Sequence, residues 1–399
     1  MHPLARAIVV AGLLMLAGPA AAAAAPYQRG TVIVELRPGV AGQARDAVLD
    51  GAPVVGGIAG TRVRLVRVEG DPAAVSARLN RHPLVVYAEP NRVLRAEATP
   101  NDARFPELWG LDNANDADID APEGWDAPAL GGFPATGGAK IGIVDTGITL
   151  THEDLAGKTV NCAYASGFLG LISTIREGTC TDGHGHGTHV AGTAAAIANN
   201  VLGVAGVSFN SPLAVCRALN SAGLGFTLDI ANCIRYLADR DSKVISMSIG
   251  GPSTTTLQNQ VSYAASKDSL LVAAAGNDGS TIVRYPAGYA QVVSVAATDR
   301  NDVRASFSNM NADVELAAPG VGILSTWRDG GYFTASGTSM ATPHAAGVAA
   351  VIRTLAPGLT AAQARDRLTS TVDDLGAAGR DSSYGFGRVN LANAVAGLP

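Results

Sequence analysis

The chain has 399 residues, of which 47% are apolar and 16% are charged, and its formal net charge is −5. This composition is typical of a soluble globular protein with two or three domains, and it excludes a disordered or fibrous chain. The sequence contains no long basic patch and no basic helix interleaved with aromatic residues, so no nucleic-acid partner is expected.

The first 25 residues have the pattern of a secretory signal peptide. Arg6 precedes the apolar run 7–17, and a Gly-Pro pair and an alanine tract follow. A membrane anchor is the alternative, but the strongly apolar part is short for a span. We therefore expect cleavage near Ala23 to Ala25, a secreted protein (extracellular or periplasmic), and no membrane span in the mature form. Export permits disulfides, and the four cysteines can pair in three ways.

Residues 26–98 are expected to form a small α+β domain, large enough to fold alone but only marginally. Apolar residues alternate in three segments and follow helical spacing in two. The predicted strands are 31–36, 61–68 and 84–87, and the predicted helices are 43–49 and 71–79. From residue 27 the domain carries a net charge of +3, whereas residues 99–399 carry −9. This contrast is either chance or the mark of two parts that dock.

An exposed linker is predicted at residues 93–106. The segment has little apolar periodicity and contains Thr99-Pro100-Asn101-Asp102, a run typical of loops. Proline lacks an amide hydrogen and stiffens the residues beside it, so we place any cleavage before Thr99. The domains would then be 1–25, 26–98 and 99–399.

From residue 139 onward, predicted strands and helices alternate. The strands are continuously apolar, which is typical of a parallel sheet covered by helices on both faces. The predicted strands are 141–144, 213–219, 244–247, 270–275 and 292–296, and the predicted helices are 188–198, 228–239, 257–266, 339–355 and 361–368. Functional residues of such sheets lie at the carboxyl ends of strands and the amino ends of helices.

Chemically active side chains follow these strands. Asp145 comes directly after an apolar strand, although aspartate there is often only a turn former. His184, His186 and His189 surround a glycine-rich turn that opens a helix, and Asn277 follows another strand. Ser339 lies at the predicted start of a helix of small residues. Unpaired amides and the helix dipole favour negative charge there, which suits a nucleophilic serine, but a serine that only caps the helix would look similar.

Four motifs in one order resemble the subtilisin-like serine proteases, the subtilases. They are IGIVDTGI at 141–148, HGTHVAG at 186–192, AAAGN at 273–277 and GTSMATPH at 337–344. Their order, Asp then His then Ser, is the one given for subtilisin and differs from other serine hydrolases. The similarity extends from about residue 100 to the C-terminus. It implies a doubly wound, mostly parallel α/β sheet with helices on both faces, preceded by a small α+β propeptide domain.

The resemblance implies a serine endopeptidase that forms an acyl-enzyme. Ser339 would be the nucleophile, His186 the base that takes its proton, and Asp145 the carboxylate that orients the imidazole. Asn277 would donate to the oxyanion, together with the backbone N–H of Ser339.

Neighbouring residues of the same types receive lesser roles. His184 is an alternative base. His189 lies one turn along the helix and is expected to be a packing residue, and His344 is expected to make a structural hydrogen bond. Ser336 and Thr338 are expected to be turn residues.

Substrate binding is also implied by the resemblance. Two segments would pair with an extended peptide from either side, and two small residues would wall the first specificity pocket. Ordinary loop glycines are the alternative for each segment taken singly. A sizeable apolar side chain would fit, although a cation at Arg284, on the pocket floor, would alter the preference. The implied substrate-binding residues are Gly223, Leu224, Gly225, Ser248, Ile249, Gly250, Ala274 and Gly276.

A structural calcium ion is the one cofactor expected. The segment 196–204 resembles a subtilase calcium loop, and oxygen ligands alone suit a hard cation. A plain surface loop is the alternative. The implied ligands are the side chains of Asp102, Asp154 and Asn200 and the backbone carbonyls near Ile197, Leu202 and Val204.

Disulfides are expected between Cys162 and Cys180 and between Cys216 and Cys233, with four free thiols as the weaker alternative. Residues 26–98 resemble a subtilase propeptide, which assists folding and then inhibits the enzyme from within the same chain. The expected partners are thus polypeptide substrates and the chain's own propeptide, and the mature protein is expected to be a monomer.

Two other functions remain open. A metal hydrolase could be built on Asp182 and the three histidines, although their spacing does not place them on one helix face. A catalytically inactive binding module is the second, and the intact set of catalytic residue types argues against it.

Overall fold

A computed structural model of the chain describes residues 27–92, 99–126, 136–167 and 173–398. The chain divides into two compact units, residues 1–96 and 97–399. The predicted signal peptide lies outside the described residues, as does part of the predicted linker. Within the described ranges, no helix is long and apolar enough to cross a membrane.

The first unit is a four-stranded antiparallel sheet with two short helices, so the predicted α+β class is confirmed, but the strand Val54–Gly57 was not predicted. Valines on one face of the first strand, such as Val32 and Val34, are buried against both helices. Asp71 caps the second helix, because its carboxylate accepts the N–H groups of Ala73 and Ala74. In chain order the elements are β1 (Tyr27–Leu36), α1 (Gly42–Val48), β2 (Val54–Gly57), β3 (Val63–Arg67), α2 (Pro72–Leu79) and β4 (Val85–Arg92). Their order across the sheet is β2-β3-β1-β4.

The second unit is built on an eight-stranded sheet, in which every neighbouring pair is parallel except the pair at one edge. The strands are β5 (Ile141–Asp145), β6 (Thr159–Gly167), β7 (Ser173–Glu177), β8 (Leu213–Arg217), β9 (Val244–Met247), β10 (Leu270–Ala274), β11 (Val292–Thr298) and β12 (Val314–Pro319). They lie in the order β12-β11-β10-β9-β5-β8-β6-β7, and β6 and β7 form the antiparallel pair. A separate hairpin joins β13 (Ile323–Thr326) to β14 (Tyr332–Ala335).

Helices cover both faces of this sheet. They are α3 (Ala121–Trp125), α4 (His186–Ala195), α5 (Thr227–Asp239), α6 (Thr255–Ser266), α7 (Thr338–Leu355), α8 (Ala361–Ser370) and α9 (Leu391–Val395), and a 3₁₀ turn spans Phe105–Glu107. One apolar cluster packs α4 and α7 against the sheet, and a second packs α5 and α6. The doubly wound α/β architecture predicted from the alternating pattern is confirmed.

The predicted linker is wrong in its second half. Asp102 and Phe105 are buried, and Asp102 accepts the N–H of Asn199 at 2.7 Å. The ring of Phe105 lies 6.3 Å from that of Trp125, centroid to centroid. The local sequence looks like a loop, but its side chains contribute to the core of the second unit.

Both predicted disulfides are present. Cys162–Cys180 joins β6 to the segment before α4, and Cys216–Cys233 joins β8 to α5. The links close short loops within the sheet-and-helix layers, so they restrict the unfolded chain.

A buried charge cluster fastens the C-terminal segment to the start of the second unit. The guanidinium of Arg388 donates to Asp302 and Asp373, at 2.6 Å each, and the amide of Asn390 donates to Asp373 and Asp120. Burial, with repulsion from the neighbouring carboxylate Asp118, raises the pKa of Asp120 to about 7. The folded protein therefore binds a proton at Asp120 more tightly than the unfolded chain does.

We expect Asp120→Asn to stabilise the protein at pH 8 and to change little at pH 5. The pKa is raised on folding, so the stability that protonated Asp120 supplies is complete below about pH 4 and is lost as pH rises through about 7. Asparagine stays neutral and tolerates the left-handed backbone of this residue, φ 51°. The midpoint of thermal unfolding at pH 8 should rise by roughly 2–4 °C per kcal/mol gained. An equal effect of the substitution at both pH values would contradict this, and the exposed Asp313→Asn is the control.

Candidate active site

The site begins at the carboxyl end of β5, near the middle of the sheet. Asp145 is its last residue, and its side chain is 0% exposed. One carboxylate oxygen, Oδ1, accepts the N–H of Thr146 at 2.7 Å and the Nδ1–H of His186, also at 2.7 Å. A buried carboxylate requires such donors, because leaving its charge unpaired would be costly. Asp145 is therefore more than a turn residue.

His186 is the first residue of α4, and its side chain is 23% exposed. Burial alone would lower the pKa of this imidazole, but the charge of Asp145, its hydrogen bond and the more distant charge of Asp182 outweigh it. The pKa of His186 consequently lies above its ordinary value. The arrangement fixes the ring through Nδ1 and leaves Nε2 as the atom for exchanging protons.

Ser339 lies in the first turn of α7. Its hydroxyl donates to the backbone carbonyl of Ser248 at 3.2 Å, and the hydroxyl of Ser248 donates to the carbonyl of Ser339 at 2.8 Å. The hydroxyl of Ser339 thus bonds to Ser248 in this structure, and within the described ranges no bond joins it to His186. Rotation about one side-chain bond redirects such a hydroxyl, and catalytic hydrogen bonds often tighten only when substrate binds.

Asn277 lies three residues beyond the end of β10 and faces the start of α7. Its Oδ1 accepts both the N–H and the hydroxyl of Thr338, at 2.9 Å each. The hydroxyl of Thr338 in turn accepts the N–H of Gly276 at 3.2 Å. Because the amide oxygen is held in this way, the amide NH₂ group is turned to the other side. The amide nitrogen lies close to Gly337, because a Cβ at Gly337 would be 3.6 Å from it.

Thr338 is a residue whose role the sequence did not reveal. We predicted a turn residue, but Thr338 is fully buried in the first turn of α7 and orients the amide of Asn277. Its partner lies 61 residues away in the sequence, so local pattern carried no signal for this contact.

A pocket of about 310 Å³ adjoins Ser339. The predicted substrate-binding residues Ala274 and Gly276 line it, together with Asn277. A Cβ on Gly276 would lie 2.4 Å from Nδ2 of Asn309 and 2.7 Å from Cγ of Arg284, and the φ of this residue is 112°. Only glycine therefore fits at this position.

The charge of Arg284 is paired. Its guanidinium donates to both carboxylate oxygens of Asp278, at 2.7 and 2.5 Å. These hydrogen bonds, with one from Asn309, lower the pKa of Asp278 to about 2. The cation expected at the pocket floor is therefore present together with a carboxylate that balances its charge.

A larger cleft of about 540 Å³ adjoins His186. Its walls come from the loop after β8 and the loop after β9, and Leu224 on its rim is 68% exposed. Six predicted substrate-binding residues line this cleft, namely Gly223, Leu224, Gly225, Ser248, Ile249 and Gly250. Sequence reasoning missed the apolar floor formed by Leu219, Ile230, Leu257 and Tyr285.

The other histidines have separate surroundings. His189 is buried beneath the hairpin, where its Nε2 lies 3.0 Å from the carbonyl oxygens of Ile323 and Phe333, and burial lowers its pKa to about 4. His344 donates from Nδ1 to the carbonyl of Met340 at 2.9 Å, a structural hydrogen bond as expected. In the described part of the chain, no three His, Cys, Asp or Glu side chains are arranged to hold a metal ion. The geometry therefore gives no support to a metal hydrolase.

The predicted calcium loop brings two buried carboxylates together. Asp102 accepts the N–H of Asn199, while burial and the nearby charge of Asp154 raise the pKa of Asp102. Asp154 accepts the side-chain N–H of Asn200 at 2.9 Å and the N–H of Val204 at 2.8 Å. Ile197 donates its N–H to the carbonyl of Asp154, and Leu202 donates its N–H to Oδ1 of Asn200. Two buried carboxylates and an amide oxygen make a donor set that suits Ca²⁺.

Comparison with known proteins gives one consistent result. A family model described as the subtilase family matches residues 136–387, and one described as the fervidolysin N-terminal prodomain matches residues 16–91. Thermitase of Thermoactinomyces vulgaris is 42% identical over 299 residues, which are 74% of this chain and 99% of thermitase. A thermophilic serine proteinase of Bacillus sp. strain AK1 is 40% identical over 328 residues, 82% of this chain and 76% of the relative.

Solved structures agree with the sequence comparison. A protease from Pseudoalteromonas arctica superimposes with a TM-score of 0.68 at 32% identity, and the match covers 76% of this chain and all of the other. Sphericase superimposes with a TM-score of 0.59 at 35% identity, over 65% of this chain and 94% of the other.

Proposed function

The chain belongs to the subtilase family of serine peptidases and carries an N-terminal prodomain, and from this premise we propose that it is a secreted endopeptidase made as a self-processing zymogen. Asp145, His186 and Ser339 would form its catalytic triad. The observation that carries the proposal is the 2.7 Å hydrogen bond from His186 to the buried Asp145, on the edge of the sheet that also holds the start of α7.

The proton path follows from this geometry. With Nδ1 bound to Asp145, the ring presents Nε2 as the base, and His186 takes the proton of Ser339 as the hydroxyl attacks the peptide carbonyl. The imidazolium that forms is stabilised by the buried charge of Asp145. His186 then protonates the leaving amine, and water hydrolyses the acyl-enzyme by the reverse sequence.

Asn277 would stabilise the oxyanion. Its oxygen is bound to Thr338, so its NH₂ group is the part of the amide available to the pocket beside Ser339. Donors held in place before the reaction lose no free energy to reorganisation during it. Thr338 acts through Asn277 and is a positioning residue.

Substrates would be extended polypeptides. The cleft beside His186 runs between glycine-containing loops at 223–225 and 248–251, where a peptide backbone can approach closely. The side chain before the cut bond would enter the pocket beside Ser339. The stem of Arg284 narrows that pocket, and Asp278 neutralises the charge of the Arg284 guanidinium. A side chain of moderate size without charge would therefore fit best.

Export and activation of the protein would depend on its N-terminal segments. Residues 1–25 would direct export, and the prodomain would inhibit the enzyme until it is cut off near Thr99. The opposite net charges of the two parts favour their association. The mature enzyme would work as an extracellular or periplasmic monomer, with a structural calcium ion held by Asp102, Asp154, Asn200 and the loop carbonyls.

Replacing the nucleophile should stop self-processing. We expect purified Ser339→Ala to keep residues 26–98 covalently attached, whereas the wild type releases them and reacts with a sulfonyl fluoride. Mass spectrometry of the two secreted proteins measures this. Ser266→Ala, at the exposed end of α6, is the matched control and should mature normally. Self-cleavage of pure Ser339→Ala at the wild-type rate would overturn the assignment.

The pocket beside Ser339 should change its preference when Arg284 is shortened. Arg284→Gly removes the stem and leaves Asp278 unpaired by arginine, so kcat/KM should rise at least about tenfold for aromatic and for basic side chains. Arg284→Met keeps the stem without its charge, so it should improve basic substrates but not aromatic ones. A panel of peptide substrates differing in that one residue measures both effects. An unchanged ranking in Arg284→Gly would contradict this role.

Chelation should test the calcium site independently of activity. Removing Ca²⁺ should lower the midpoint of thermal unfolding of the sulfonyl-fluoride-inhibited enzyme, because Asp102 and Asp154 then repel each other. Added Ca²⁺ should restore the midpoint, whereas Mg²⁺ should not, since its small octahedral shell does not fit a loop of carbonyls. Asp102→Asn should lose most of the response. The same midpoint with and without chelator would exclude the site.

A further inference from the structure

The helix that carries the catalytic base begins without a capping side chain of its own. Its N-cap residue is Gly185, with φ 112° and no side-chain hydrogen bond. A Cβ at this position would lie 2.5 Å from the ring of Trp327, so only glycine fits. The unpaired N–H groups of the first turn must therefore find acceptors elsewhere in the molecule.

Asp182 supplies the acceptors for two of the N–H groups at this helix start, those of Gly185 and Thr188. Its Oδ1 accepts the N–H groups of His184 and Gly185, at 2.9 and 2.8 Å. Its Oδ2 accepts the N–H of Thr188 at 2.9 Å and the hydroxyl of Thr188 at 2.7 Å. The side chain is 7% exposed, and although burial raises its pKa, the hydrogen bonds outweigh this and lower it. Asp182 is therefore a buried, ionised carboxylate.

Thr146 connects the carboxylate of Asp182 to the pair formed by Asp145 and His186. Its hydroxyl donates to Oδ1 of Asp182 at 2.8 Å and accepts the N–H of Gly187 at 2.9 Å. Thr146 directly follows Asp145 in the chain, and Gly187 directly follows His186. The contact with Gly187 therefore joins the residues that follow the two members of the 2.7 Å hydrogen-bonded pair, and the contact with Asp182 attaches them to the carboxylate at the start of α4.

We propose that Asp182 and Thr146 are positioning residues for the peptidase reaction, and that together they fix the imidazole of His186 against the carboxylate of Asp145. The proposal rests on the function proposed above, because it assigns His186 the role of base. Asp182 has a second effect that Thr146 lacks. Its negative charge favours the protonated form of His186, which raises the pKa of that imidazole together with Asp145.

A carboxylate that only caps a helix would contribute stability without altering proton transfer. The pH profile separates the two roles, because kcat/KM on its acid side follows the protonation of His186. The titratable groups around that ring are Asp145, Asp182, His184, whose ring centre lies 6.3 Å away, and the buried His189. His189 is neutral above about pH 5, since its pKa is about 4.

Four substitutions in the full-length chain test the proposal. Asp182→Asn removes the charge and turns an NH₂ group toward backbone N–H groups. Thr146→Val removes the hydroxyl at nearly constant volume, and Thr146→Ser restores it. Asp381→Asn is the matched control, because Asp381 also accepts three backbone N–H groups, from Ala377, Ser383 and Tyr384, in a loop near the C-terminus. Active sites are counted with a sulfonyl fluoride, and kcat and KM are measured from pH 5 to pH 10.

Asp182→Asn should lower kcat about 10- to 100-fold with little change in KM, since a small misplacement of the base has effects of this size. The acid side of its kcat/KM profile should move to lower pH by roughly 0.5 to 1 unit, because one negative charge near His186 is gone. Thr146→Val should lower kcat about tenfold without that movement. Thr146→Ser and Asp381→Asn should keep the wild-type kcat and the acid side of the wild-type profile.

Wild-type kcat in both Asp182→Asn and Thr146→Val would overturn the proposal, and so would an unmoved acid side of the profile in a well-folded Asp182→Asn. If Asp182→Asn fails to fold, the comparison of Thr146→Val with Thr146→Ser still decides the positioning role. An inactive wild type would refute the proposed function instead, so the two failures are distinguishable.

Discussion

The buried charge of Asp145 is the constraint on which the rest of the site depends. A carboxylate with 0% exposure needs hydrogen-bond donors, and here both donors, the N–H of Thr146 and the imidazole of His186, bind its Oδ1. The sheet places Asp145 at the carboxyl end of a central strand between β8 and β9. Any segment that supplies the donor must therefore reach over the middle of the sheet, which is where α4 begins.

Sequence pattern was sufficient for the parts of the fold that repeat a simple rule. The strand Val244–Met247 is buried at every residue, three of its four residues are apolar, and it was predicted with its observed bounds. Other features follow no local rule. The edge strand Ser173–Glu177 is largely exposed and polar, so apolar runs did not reveal it. Asp102 lies in a loop-like run, yet its partner Asn199 is 97 residues away, and burial set by such contacts is invisible to periodicity.

Some residues of the site could be predicted from local sequence, and others could not. Each candidate catalytic residue lies within two residues of a predicted strand end or helix start, where the carboxyl edge of a parallel sheet concentrates polar groups. Residues that orient them could not be found in this way. Arg284 has no unpaired charge only because Asp278 lies opposite, and Asp182 gains its role from Thr146, 36 residues earlier in the chain. Such roles depend on which two side chains contact each other in the fold, and the local sequence around either residue does not identify its partner.

One requirement explains why α4 and α7 begin at the same edge of the sheet. Both α4 and α7 follow a glycine N-cap that provides no side-chain acceptor, Gly185 and Gly337. In each case one acceptor comes from a residue just beyond a strand, Thr146 after β5 and Asn277 after β10. Capping therefore attaches both helix starts to the carboxyl edge of the same sheet. The glycines have no side chain that could accept a hydrogen bond, so each helix start depends on contacts across the sheet, and the same contacts orient the side chains of His186 and Asn277.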